Sequence, residues 1–193
     1  MTKQRLLFLG PPGAGKGTQA QQLAQGQGLL HLSTGDLLRA EVAAGTALGQ
    51  EAAAVMARGE LVSDGLVLAI VRSRLEQQAA DRQQGDSGTS GWLLDGFPRN
   101  RAQAEALEAL LAELGQPIEL VVLMELDDDL LMQRLLGRGR ADDNAEVIRH
   151  RLTVYRDQTA PLIAYYRERG LLASVDAQGS IEAIAARIQT LLG

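Results

Sequence analysis

The sequence predicts an α/β fold, a doubly wound sheet of five parallel strands with helices on both faces. Three observations predict it. Short apolar runs alternate with amphipathic stretches along the chain. Each run is separated from the next by a helical stretch, which calls for crossover connections and parallel pairing. The first run also leads directly into a glycine-rich turn at a helix start. At 193 residues the chain fits one domain, 1–193, within the usual ~100–200 residues per domain.

Residues 5–9 (RLLFL) have the pattern of a short buried strand, and a helix is expected over 15–25. A weaker strand covers 29–32. Helices follow over 36–44, 48–58 and 64–82, divided by Gly45 and Gly59, since glycine readily ends a helix. Residues 92–94 read as the second clear strand, 103–114 as a helix, 118–126 (IELVVLMEL) as the most apolar strand and 128–136 as a helix. A long helix begins near 144 and is expected to be disturbed near Pro161, where a helix hydrogen bond is lost. A last strand at 171–175 precedes an amphipathic helix over 181–192, with Ser180 as its cap candidate. The segment 81–91 (DRQQGDSGTSG) is polar, offers no apolar anchor, and is expected to be mobile and unrelated to chemistry.

Hydrophobic residues make up 46% and charged residues 22%, the balance of an ordinary soluble globular chain. No apolar run approaches the ~18 residues of a membrane span, and the first run is too short for a signal peptide. A cytoplasmic location is therefore expected. The absence of cysteine excludes disulfides and cysteine-held zinc. With 3% aromatics and a net charge of −5, the chain is a poor candidate for nucleic acid or an anionic membrane surface. Of its 19 cationic residues 17 are arginine, and only Lys3 and Lys16 are lysine. GC-rich coding accounts for the general excess, yet it makes the place of Lys16 informative.

Lys16 stands in Gly10-Pro-Pro-Gly13-Ala14-Gly15-Lys16-Gly17-Thr18, directly after the first strand. Glycines let successive backbone N–H groups approach phosphate oxygens, and the following helix offers its positive end there. A compact ammonium then reaches the outer phosphates. The strict pattern GxxxxGK[ST] is not met, because Gly17 stands at the hydroxyl position and Thr18 follows. A hydroxyl for Mg²⁺ is therefore expected from Thr18, or is replaced by water. In WLLDGFPR, Asp95 ends the second clear strand, the place of a carboxylate that holds Mg²⁺, usually through water. A plain turn cap is the bland reading of that aspartate. No second acid follows Asp95, which weighs against a motor-type ATPase. Asparagine occurs only at Asn100 and Asn144, so no NKxD guanine motif exists.

GPPGAGKGTQA, LSTGDLLR, LDGFPR and the pair Arg138 and Arg140 occur in the order found in the adenylate kinase family. The chain resembles that family, of the nucleoside monophosphate kinases and of short-lid type, over nearly its whole length. The resemblance implies a P-loop NTPase-type fold and reversible transfer of the γ-phosphoryl group of MgATP to AMP, giving two ADP. It implies a role in adenine nucleotide homeostasis, Mg²⁺ accompanying ATP, no zinc, and a monomer whose partners are ATP, AMP and ADP. An AMP-binding segment at 33–62 and a short lid at 137–143 are expected to close over them.

By the same resemblance, Gly13, Ala14, Gly15, Lys16, Gly17, Thr18, Arg134, Arg138 and Gly179 would serve ATP. Thr34, Arg39, Glu60, Leu61, Val62, Gly96, Phe97, Pro98, Arg99, Gln103, Arg140 and Arg151 would serve AMP. Lys16, Arg99, Arg138, Arg140 and Arg151 would form the catalytic set. Thr34 and Gln103 favour AMP, because pyrimidine-specific relatives typically have alanine and asparagine there. A relative preferring CMP, UMP or dAMP, and a non-catalytic nucleotide sensor, are the alternatives.

Between 134 and 156, six arginines face Asp142, Asp143 and Glu146, a local balance of +3 in an acidic chain. A solvated helix face accounts for Arg149 and Arg156. Asp143 and Glu146 suggest a capping arrangement at a helix start. No general base is expected, since the AMP phosphate is already an anionic nucleophile. His31 and His150 read as structural or surface residues.

Overall fold

The computed structural model describes residues 2–83, 89–139 and 144–193. Its strands are β1 (Arg5–Leu9), β2 (Leu29–Ser33), β3 (Gly91–Asp95), β4 (Leu120–Glu125) and β5 (Leu172–Asp176). All neighbours pair in parallel, in the order β2-β3-β1-β4-β5. The helices are α1 (Lys16–Gln27), α2 (Thr34–Ala43), α3 (Ala47–Ala57), α4 (Asp64–Gln83), α5 (Arg101–Glu113), α6 (Asp128–Arg138), α7 (Ala145–Val154), α8 (Pro161–Glu168) and α9 (Ile181–Leu192).

Strand residues alternate between two cores because successive side chains point to opposite faces. On one face Leu7, Trp92 and Leu94 pack with Leu75 of α4, Leu107 of α5 and Leu162 of α8. On the other, Leu6, Phe8 and Leu93 pack with Leu23 of α1, Leu131 of α6, Ile148 of α7 and Ile188 of α9. The expected double winding is thus present. All five residues of β3 are buried, which is why that strand reads as a continuous apolar run.

The topology fixes where a ligand can enter. β1 and β3 are neighbours, but α1 leaves β1 over one face and α5 follows β3 over the other. Their connections part at the carboxyl ends and open a crevice, the usual ligand place in an open α/β sheet. Gly10 begins the connection after β1 there, and Asp95 ends β3.

Three expectations need correction. The capping side chain of α7 is Asn144, whose Oδ1 accepts from the Val147 N–H at 2.9 Å, one residue beyond the expected Asp143; residues 140–143 lie outside the described residues. The long helix from 144 is not merely disturbed near Pro161. It ends at Val154, passes through a π-helical turn at Tyr155–Thr159, and restarts as α8 with Pro161 first. Proline is comfortable there because its missing N–H would have had no helical partner. Finally, 81–91 is shortened from both ends by α4 and β3, and its far end is anchored by polar contacts. Buried Gln78 donates to Thr89 Oγ1 and to the Gly91 carbonyl, both at 2.6 Å; residues 84–88 lie outside the described residues. Ser180 does cap α9, accepting from the Ala183 N–H at 3.2 Å. No described helix is long and apolar enough to cross a membrane.

Candidate active site

The turn after β1 is shaped by close packing. Gly10 has φ 144°, and a Cβ there would stand 2.5 Å from the Met124 carbonyl oxygen of β4. Gly13 has φ 90°, and a Cβ would meet Leu135 of α6 at 2.9 Å. Only glycine permits both the backbone angles and these approaches. The loop therefore lies against β4 and α6, and Lys16 becomes the first residue of α1.

The Lys16 ammonium donates to the carbonyls of Gly10 at 2.8 Å and Pro11 at 3.0 Å. Enclosure lowers its pKa to about 8; Asp95 opposes that shift, while Arg99, Arg151 and Arg138 add to it. Burial likewise lowers the Arg99 pKa, with nearby Arg151 adding to the effect. Cations have thus been gathered at the carboxyl edge of the sheet at an electrostatic cost, which an anionic ligand would offset.

These groups line one cavity of about 460 Å³, a normal size for a ligand site. Gly13, Gly15, Lys16, Gly17 and Thr18 of the loop and α1 line it, together with Asp95, Arg134 and Arg138. Arg39, Leu61, Gly96, Pro98, Arg99 and Arg151 line it as well. A smaller recess of about 50 Å³ adjoins it and shares Arg39, Leu61, Gly96, Arg99 and Arg151. Thr34, Glu60, Val62, Phe97 and Gln103 complete the recess. Gly96, at φ 86°, leaves room for Thr34, whose Oγ1 would be 2.8 Å from a Cβ.

A family model described as adenylate kinase matches residues 8–171. An adenylate kinase of Synechococcus sp. (strain WH7803) is 70% identical over 190 residues, covering 98% of this chain and 99% of the relative. That of Synechococcus sp. (strain RCC307) is 69% identical over 188 residues, with 97% and 98% covered. That of Prochlorococcus marinus (strain MIT 9211) is 57% identical over 191 residues, with 99% and 98% covered. The chain belongs to the adenylate kinase family.

Most residues to which the family resemblance gives a role line the two spaces. Ala14 does not line either; it is fully buried, and its carbonyl accepts from Arg134 Nη1 at 3.5 Å. Gly179 is exposed in the connection from β5 to α9. Arg134 links the two regions through Nη2, which donates to the Ala177 carbonyl at 3.1 Å. Arg140 lies outside the described residues. Arg39 pairs with Asp36 in the first turn of α2. Glu60 turns outward to Arg58 at 2.8 Å, and that hydrogen bond holds its carboxyl below the usual range. Glu60 can therefore offer the recess its backbone rather than its charge.

The oxygen donors fit the Mg²⁺ that adenylate kinases use with ATP. Asp95 and Thr18 line the same cavity as Lys16, and a Cβ at Gly17 would be 3.4 Å from Asp95 Oδ2. The carboxylate thus faces the phosphate loop. One carboxylate, a hydroxyl and phosphate oxygens suit a hard ion that keeps several waters. Among the described residues no group of three or more His, Cys, Asp or Glu could hold a metal. His31 is half-buried on β2 and His150 is exposed.

Sequence reasoning missed three residues. Thr159, in the π-helical turn, lines the larger cavity and donates from Oγ1 to the Arg99 carbonyl at 2.6 Å. Tyr155 lines it too, with burial and then the Glu125 carboxylate pushing its pKa up to about 12. No local signal distinguishes either from helix residues. Asp64 was legible only as a helix start, although it contacts Gln103.

Proposed function

We propose that this family member reversibly transfers the γ-phosphoryl group of MgATP to AMP, giving two ADP. The observation that carries the reading is a cavity lined by the phosphate loop and a smaller recess adjoining it, the two sharing Arg39, Arg99 and Arg151. Gly13 to Thr18 hold the ATP phosphates through backbone N–H groups, and Lys16 moves from the Gly10 and Pro11 carbonyls onto phosphate oxygens. Arg39, Arg99 and Arg151 grip the AMP phosphate with planar forks. Arg138, with Arg134 near the loop, neutralises charge on the ATP side; Arg140 and Arg151 act toward the transferring group. Gly179 is assigned to the ATP end. Thr34, the 60–62 backbone, Phe97 and Gln103 receive the adenine.

Asp95, through water, and Thr18 would hold Mg²⁺. When bound, the ion shields the phosphate oxygens that the loop and arginines orient. The AMP phosphate needs no proton removed, so this chain's residues supply alignment, charge neutralisation and exclusion of water. The 33–62 segment and the 137–143 lid are the parts that close. We place this work in the cytoplasm, with the protein as a monomer.

An acceptor panel tests the reading. With MgATP and wild-type protein, AMP is expected to give a higher kcat/KM than CMP, UMP or dAMP. A higher value for any of the others would reassign the acceptor. Nucleotide binding without turnover of any of them would make the protein a sensor.

A further inference from the structure

The Gln103 carboxamide is tied at both ends. Its Nε2 donates to Asp64 Oδ1 at 2.6 Å, and its Oε1 accepts from the Arg99 backbone N–H at 2.6 Å. Asp64 opens α4 and Gln103 lies in the first turn of α5, so two separate elements meet through this bond. Asn100 strengthens the junction. Its Nδ2 donates to the same Asp64 oxygen at 3.1 Å, while its Oδ1 accepts from the Gln103 backbone N–H at 2.8 Å.

These partners allow the amide one sense only. An ionised carboxylate can accept but not donate, and a peptide N–H can donate but not accept. Turning the amide by half a revolution would set oxygen against carboxylate and NH₂ against N–H. Both contacts would be repulsive in a place where Gln103 is only 3% exposed. The negative charge of Asp64 is itself favourably placed in the first turn of a helix.

The pinned amide still has one N–H and one oxygen lone pair with which to read a base in the recess. A 6-aminopurine offers a ring-nitrogen acceptor beside an amino donor. A 6-oxopurine offers the reverse, a ring N–H donor beside a carbonyl acceptor. With the monophosphate held by the arginines, the base arrives in a fixed direction. A glutamine free to turn would serve both purines, whereas a pinned one serves only one.

We propose that Asp64 is a specificity-determining positioning residue, whose carboxylate locks the Gln103 amide in the sense that accepts a 6-aminopurine monophosphate and refuses its 6-oxo counterpart. The inference rests on the reading of the recess as the AMP base pocket. It gives a second purpose to a junction that otherwise looks like ordinary capping of α5.

The test compares kcat/KM for AMP and for inosine monophosphate, with MgATP, in the wild type, Asp64→Asn and Asp64→Ala. Asparagine keeps the size but can either donate or accept, so it removes the carboxylate's share of the constraint and leaves only the Arg99 N–H to favour one amide sense. The preference for AMP is expected to narrow about tenfold or more in both variants, the scale of one hydrogen bond to a charged group. A merely structural role would lower both acceptors together and leave their ratio unchanged, which would overturn the lock. Should Asp64→Ala fail to fold, Asp64→Asn carries the comparison alone. A wild type that phosphorylates neither monophosphate would overturn the acceptor reading as well. One active on AMP, with an unchanged ratio in the variants, would overturn the lock only.

Discussion

Lys16 shows how a single side chain links packing to rate. Its ammonium rests on two carbonyls of its own loop and has a pKa near 8 because it is enclosed. In the role proposed for Lys16, binding of the ATP phosphates requires the charged form, so kcat/KM for MgATP is expected to fall as pH rises through about 8, approaching tenfold per unit. Bound phosphates favour the ammonium, so kcat should persist to higher pH. The stability effect has the opposite sign. The folded pKa lies below the ordinary lysine value of 10.5, so the unfolded chain binds more protons between about 8 and 10.5. The lysine's cost to folding is fully present below 8 and is relieved as pH rises through that window. A pH–rate profile paired with thermal unfolding separates the two effects, and a flat kcat/KM up to pH 9.5 would contradict the assignment. The place of Lys16 was readable from the sequence, since the chain uses arginine for almost every other cation. Its contact with the Gly10 and Pro11 carbonyls was not, because it depends on how the loop folds back.

At the scale of elements, the site depends on how tightly the β1–α1 connection lies against β4 and α6. Gly10→Ala would push a methyl to within 2.5 Å of a β4 carbonyl. Gly45→Ala carries the milder backbone strain of the left-handed helical region, at φ 65°, and has nothing within 4 Å of a Cβ. Gly10→Ala is therefore expected to lose ~2 kcal/mol or more and Gly45→Ala about 1–2 kcal/mol, compared by denaturant unfolding. Equal losses would show that crowding at the loop is unimportant. Strands and helices were legible because apolar periodicity survives in one sequence. The π-helical turn was not, because Tyr155–Thr159 (YRDQT) has no breaker within it and only Pro161 beyond. Likewise the Gln78 anchor is polar and arrives from another element, so a search for apolar anchors passes over it. Asn144 was missed because the acidic pair beside it suggested the same capping role.

At the scale of the molecule, an acidic chain concentrates its cations where β1 and β3 send their helices to opposite faces. Strand order decides this, and strand order depends on which apolar runs become neighbours, which periodicity does not encode. The motif order nevertheless indicated which residues would meet, and most of them line two adjoining spaces. In the proposed function both nucleotides are present together and water is kept from the phosphoryl group in transit. Phosphorus NMR of the protein with MgATP and AMP tests that claim most directly. ADP is expected to accumulate as ATP and AMP disappear together, with little inorganic phosphate, and to do so about 100- to 1,000-fold more slowly in folded Lys16→Ala protein. Loss of ATP to ADP and inorganic phosphate with AMP unchanged would contradict the account.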